Sequence, residues 1–99
     1  FGRDIAADNF DVVHHAIRQQ RCLVMDYAGE DGAPTPDRTV RPLGLYFWGK
    51  VWTLAAWCEL RDDFRNFRVD RVRRPRLGEP FESDPAKSLE AFLARVRAT

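Results

Sequence analysis

Apolar positions change period along this chain. In "DNFDVVHHAIRQQR", Phe10, Val13 and Ile17, with His14 beside them, recur three and four residues apart, the spacing of one helical face. Asp8 stands where an N-cap belongs, so the pattern predicts a helix over about residues 8–20. From Arg21 the period falls to two. In "RCLVMDYA" Cys22, Val24 and Asp26 alternate with Leu23, Met25 and Tyr27, which predicts a strand, and the turn-rich "GEDGAPTP" ends it in a surface loop. "RTVRPLGLYFW", residues 38–48, predicts a second strand, with Pro42 at an edge or bulge and Gly44 at a bend. "WGK" makes a short turn.

"VWTLAAWCEL", residues 51–60, predicts a third strand. Trp52, Leu54, Ala56 and Cys58 fall on one face, and Val51, Thr53, Ala55 and Trp57 on the other. Both faces are largely apolar, so the strand is expected inside a closed or covered sheet, with Trp52 in the core. After the polar link "RDDF", Phe67 and Val69 alternate with Asn66, Arg68 and Asp70. This predicts a strand over 65–70, a break near Asp70-Arg71, and a further strand to about Leu77. Asp84-Pro85 then reads as a cap with proline at the first helical position. Leu89, Phe92, Leu93 and Val96 make an apolar stripe on a last helix over about 85–98. The fold class is mainly β with flanking helices. So many short strands in so short a chain point to a small antiparallel barrel with closed or covered edges.

Ninety-nine residues, 44% hydrophobic and 31% charged, fit one small globular domain with a core. No apolar run reaches the ~20 residues of a membrane span, and no signal-peptide pattern opens the chain. A first residue of Phe1 rather than Met leads us to expect a fragment of a longer protein. Cys22 and Cys58 match neither a zinc spacing nor a disulfide framework. Both lie in apolar stretches, so reduced core thiols and a cytoplasmic location are expected. His14 and His15 are adjacent and point to different faces, so no metal site is expected there.

Net charge is only +1, but residues 61–76 hold seven Arg against three Asp. Arg65, Arg68 and Arg71 follow one another at intervals of three. On a strand that spacing alternates faces and does not make a helical stripe. Two readings of the run are open: a solvated face, or a surface where guanidinium forks hold phosphate and stack on bases.

The ordered set of motifs is familiar. "VWTLAAWCELRDDFRNFRVDRV" resembles the core of the WYL domain, whose closing segment runs Arg-x-Phe-Arg-aliphatic-Asp-Arg. Here that segment is Arg65-Asn66-Phe67-Arg68-Val69-Asp70-Arg71. Arg21, Tyr27 and "VRPLGL", residues 40–45, also fall where such domains place similar residues, and the resemblance covers roughly residues 12–82. The tripeptide that names the family reads Trp52-Thr53-Leu54 here, with Thr in place of Tyr. The resemblance implies an Sm-like or SH3-like barrel, the C-terminal sensing domain of a bacterial transcription regulator. A helix-turn-helix domain would precede it, a homodimer is expected, and operator DNA would be bound through that missing domain. It also implies an effector of nucleic-acid type: single-stranded DNA or RNA, or a nucleotide.

The residues fit such a ligand. Arg41, Arg65, Arg68 and Arg71 are the candidate phosphate contacts, and Tyr27, Trp48 or Trp57 the candidate stacking surfaces. Arg68 is open to a second reading, a cross-strand pair with Asp26 or Asp70. Arg73, Arg74 and Arg76 read as a solvated tail. Catalysis is not expected, and no cofactor is implied. Ser83 and Ser88 lack a nucleophile-elbow setting, no Gly-rich phosphate loop is present, and Asp62-Asp63 lies in a polar link. The rival to a sensor is a structural module that only dimerises the regulator. A sensor predicts Arg68 exposed in a concave basic patch; the rival predicts it salt-bridged or buried in an interface.

Overall fold

A computed structural model describes residues 2–28 and 34–98, with side chains for 9–28, 36–47 and 49–97. Helix α1 (Gly2–Gln19) is followed by strands β1 (Arg21–Ala28), β2 (Pro34–Trp48), β3 (Val51–Cys58), β4 (Asp63–Arg68) and β5 (Val72–Pro80), and by helix α2 (Leu89–Ala98). One 3-10 turn, Val69–Arg71, joins β4 to β5, and another, Pro85–Lys87, precedes α2. The chain is mainly β with flanking helices, as the periodicity predicts. The loop expected after β1 falls at residues 29–33, outside the described residues.

The five strands form one antiparallel sheet in the order β4-β3-β2-β1-β5. Its edges, β4 and β5, are consecutive in the chain. A flat sheet of five strands would hold its edges about 19 Å apart, whereas a three-residue 3-10 turn advances only about 6 Å. The sheet must therefore curl until its edges approach. Its inner face holds Leu23, Met25, Val40, Leu54, Cys58, Phe67 and Val72, all fully buried. Helix α1 lies against β5, β1 and β2 and adds Val13 and Ala16 to the same core. Pro42 is accommodated inside β2 because the register with β3 slips between Pro42 and Gly44, a bulge that releases the missing N–H. The β2–β3 connection is a two-residue turn in which Gly49 and Lys50 both have positive φ, 57° and 75°, the form that matches strand twist.

Several boundaries differ from the sequence pattern. Helix α1 begins at Gly2, so Asp8 lies within it and is not its cap; Ala6-Ala7 ahead of it are strong helix formers with no breaker between. β2 starts at Pro34, four residues before Arg38. β4 runs from Asp63 to Arg68, and Val69 enters the core from the 3-10 turn. Asp84 does cap, accepting from the Ala86 N–H at 3.0 Å, but the helix it caps is the short 3-10 turn. Ser88 caps α2, its Oγ accepting from the Ala91 N–H at 3.1 Å. Trp52 is 44% exposed and is not core. It stands one residue from the β2–β3 turn, past the end of the core, packed edge-on against Phe10 and Phe47.

Candidate functional site

Residues paired across neighbouring strands share a face. Tyr46 on β2 pairs with Thr53 on β3, and Thr53 with Arg68 on β4. Gly44, Ala55 and Asn66 form the next row, and Arg41, Trp57 and Phe64 the row at the far end. This is the outer face of the sheet. Helix α2 covers part of it, with Phe92 packed against Phe64 and Leu89 close over Gly44, where a Cβ would lie 3.2 Å from Leu89 Cδ2. Beside α2 the face opens into a groove of about 870 Å³, with Thr53 and Val51 beneath it and Tyr46, Asn66, Arg68, Leu93 and Val96 around it.

The walls differ in chemistry. Leu93 and Val96 remain 40% and 53% exposed, so half of the α2 stripe faces the groove and not a core. Opposite them the Tyr46 hydroxyl donates to Asn66 Oδ1 at 2.8 Å, which leaves the Asn66 amide hydrogens for another acceptor. Partial burial pushes the Tyr46 phenol above its usual range. Arg68 forms two hydrogen bonds to the Asp70 carboxylate, at 3.0 and 2.7 Å. Its guanidinium holds the Asp70 carboxyl below the usual range, with Arg71 adding to the effect. An apolar wall facing one cation and a few fixed donors suits a flat, partly apolar ligand bearing an anion.

The five candidate residues separate into three groups. Arg68 lines the groove and Arg71 does not, though both act on the same carboxylate, Asp70. Tyr27 supports them from within. Its ring is buried, packed edge-on against Phe67 at 5.0 Å, and its hydroxyl accepts from the Arg68 N–H at 2.9 Å. It is not an open stacking surface, and neither is Trp57, which is buried between Phe64 and Lys87. The side chain of Trp48 lies outside the described residues. Arg65, three positions before Arg68, falls on the opposite side of β4, with its guanidinium over the Phe67 ring at 5.5 Å. Arg41 shares the outer face with Arg68, but four residues along β3 separate their rows, about 13 Å. It pairs with Glu59 at 2.7 Å and lies over Phe81.

Arg73 and Arg74 are exposed, as a solvated run would be, but with Arg76 they lie in β5 and are held there. Arg74 and Arg76 pair with Asp26, Arg76 pairs with Asp37 at 2.7 Å, and Arg73 caps the carbonyls of Asp70 and Val72. Asp26 therefore holds Arg74 and Arg76 and not Arg68. The sequence reading missed two residues. Tyr46 takes up the outer face directly across from Thr53. Arg38 is a strand residue two positions from buried Val40, and that alternation is the signal that places it on the inner face. Its side chain is 7% exposed and lies over the Phe67 ring at 5.6 Å.

Among the described residues no three His, Cys, Asp or Glu side chains converge as a metal site, and no helix is long and apolar enough to cross a membrane. Cys22 is half-buried, Cys58 is buried, and both are free thiols. Burial pushes the Cys22 thiol up, with Glu59 and Glu79 adding to the rise.

Known proteins agree with this architecture. The WYL domain model matches residues 8–77. The DNA-binding transcriptional repressor CapW of Stenotrophomonas maltophilia is 33% identical over 70 residues, 71% of this chain and 23% of CapW. The structure of proteasome accessory factor B/C (PafBC) of Arthrobacter aurescens superposes with a TM-score of 0.73 at 32% identity, over 82% of this chain and 13% of that one. The chain thus spans under a quarter of either relative. From the family match, its strand order and its closing Arg-x-Phe-Arg-x-Asp-Arg segment, the chain belongs to the WYL domain family.

Proposed function

We propose that this chain is the ligand-sensing domain of a transcription regulator and binds single-stranded nucleic acid or a nucleotide in the groove beside α2. The observation that carries the reading is Arg68: it lines the groove with 43% of its side chain still exposed. Its partner Asp70 is 51% exposed, and an ion pair this open contributes at most about 1 kcal/mol. An arriving phosphate can displace such a carboxylate. Arg68 and Arg71 would take phosphates, Tyr27 would fix the backbone beneath Arg68, and a base would lie against Tyr46 and the apolar wall of α2. Arg41 would extend the path along the same face, and Arg65 would act from the other side of β4. An operator-binding domain elsewhere in the regulator, joined ahead of this single domain, would respond to the occupied groove in a homodimer.

The relatives' names support the regulatory part, since one is a DNA-binding transcriptional repressor. The competing reading is a module that only dimerises. It draws on Phe47 and Trp52, 60% and 44% exposed and packed together at the β2–β3 tip, and on the Arg68–Asp70 pair itself.

Anisotropy of a short labelled single-stranded DNA, titrated with the domain at two salt concentrations, tests the proposal. Duplex DNA and Arg68→Ala serve as controls. Preference for the single strand, with a log–log salt slope of about −0.7 per phosphate contacted and a loss on Arg68→Ala, is expected. Equal weak binding of single strand, duplex and variant defeats the ligand reading and leaves dimerisation.

A further inference from the structure

Arg38 and Arg65 approach one ring from two strands. Their guanidinium carbons lie 5.6 and 5.5 Å from the centroid of Phe67, so they are at most about 11 Å apart. Among the described residues no carboxylate pairs with either cation. Arg38 is the sharper case. It is 93% buried, and its Nε and Nη1 are enclosed with no acceptor. A buried guanidinium is disfavoured unless paired, and a ring face offsets only part of that cost. Arg74 and Arg76 show the ordinary outcome in this fold: each has a carboxylate. Arg65 is only half-buried, so it reaches the surface where Arg38 does not.

We infer that Arg38 and Arg65 form a second anion subsite, on the side of β4 opposite the groove, which takes a terminal phosphate monoester. Arg65 meets the anion first. The long Arg38 side chain then turns its head from Phe67 onto the same phosphate, which gives its unpartnered N–H groups acceptors. Two cations select the monoester, which carries about −1.5 to −2 charges at neutral pH, over an internal diester with one. The subsite would distinguish a phosphorylated strand end or a mononucleotide from continuous backbone. This deepens the proposed nucleic-acid reading and rests on it for the identity of the ligand, though not for the anion itself.

The test compares labelled hexathymidylates with a terminal phosphate, at the 5′ or the 3′ end, against the unphosphorylated strand, using wild type, Arg38→Gln, Arg65→Gln and Arg68→Ala. Melting of wild type and Arg38→Gln in inorganic phosphate or chloride at equal ionic strength runs beside it. A gain of tenfold or more from one terminal phosphate, lost in Arg38→Gln and Arg65→Gln and kept in Arg68→Ala, is expected. Unliganded Arg38→Gln should melt no lower than wild type, because the variant buries no unpaired charge. Equal binding of both strands overturns the subsite and leaves the groove proposal standing. If no strand binds but phosphate raises the melting temperature of wild type and not of Arg38→Gln, the subsite stands and the nucleic-acid reading fails. If Arg38→Gln melts lower and phosphate discrimination is unchanged, Arg38 is structural and the inference is wrong.

Discussion

The Tyr27 hydroxyl accepts a hydrogen bond from the backbone N–H of Arg68 at 2.9 Å, across 41 positions of sequence. It joins β1 to the end of β4, where the edge of the sheet would otherwise leave that donor unpaired. The Tyr27 ring packs on Phe67, so one side chain fixes both the core and the backbone beneath the candidate site. Tyr27→Phe keeps the packing and removes the acceptor. Loss of such a part-buried bond costs about 1 kcal/mol. Urea unfolding should show a fall of that size, and strand binding should weaken because Arg68 loses its fixed base. Unchanged stability would mean that water replaces the hydroxyl without loss.

Asp70 couples the candidate site to pH. The Arg68 guanidinium holds its folded-state carboxyl below the usual range, while in the unfolded chain it returns to about 3.9. The pair therefore stabilises the fold fully above the unfolded value, and the contribution is lost as pH falls through the lower, folded one. With both side chains open to solvent the amount is below about 1 kcal/mol. Binding should move the other way. Asp70→Asn removes a competitor for Arg68, so affinity for a short single strand should rise while stability falls slightly. Anisotropy at neutral pH checks the first effect and thermal melting the second. A drop in affinity would show that Asp70 orients Arg68 for the ligand and does not compete with it.

Much of this was legible in the chain. Period-two alternation located β1, β3 and the Phe67 strand, and proline's missing donor allowed an edge or a bulge at Pro42, of which the fold has the bulge. What escaped depends on where a regular element meets the end of the core. Alternation gives Trp52 the same face as Leu54, yet Trp52 lies beyond the core and Leu54 within it; pattern carries direction but not depth. Arginines at intervals of three on β4 had to divide between faces, and Arg65 and Arg68 do. Which of them would find a carboxylate was not written locally. Asp26 takes Arg74 and Arg76 across the β1–β5 register, and Arg38 meets Phe67 only once the sheet has curled.

Thr53 marks the departure from the family tripeptide. It is 6% exposed and floors the groove between Tyr46 and Arg68. The space above it means that a larger residue has somewhere to go, unlike at Leu54, whose side chain is fully enclosed. Thr53→Tyr should therefore cost less stability than Leu54→Ala, which should cost about 2–5 kcal/mol. If Thr53→Tyr also shifts strand affinity in either direction by tenfold, residue 53 touches the ligand. An equal, large loss of stability in both variants would show the groove to be closed in solution.

The α2 wall offers the cleanest separation of fold from binding. Phe92 is 8% exposed and packs on Phe64, while Leu93 and Val96 on the same helix are open. Apolar side chains that face a groove contribute little to folding, and replacing them leaves the core intact. A carboxylate there would stand across the groove from Arg68. Leu93→Glu or Val96→Glu should then leave the melting temperature within a few degrees of wild type. Either change should lower affinity for an anionic strand by tenfold or more, through repulsion and competition for Arg68. Phe92→Ala should do the reverse in order: it should lower stability by about 3–5 kcal/mol and weaken binding only because α2 frays. Thermal melting and anisotropy on the three variants distinguish these patterns. Undiminished binding by Leu93→Glu and Val96→Glu would place the ligand off the groove, and the unpaired cations on the inner side of β4 would become the first place to look.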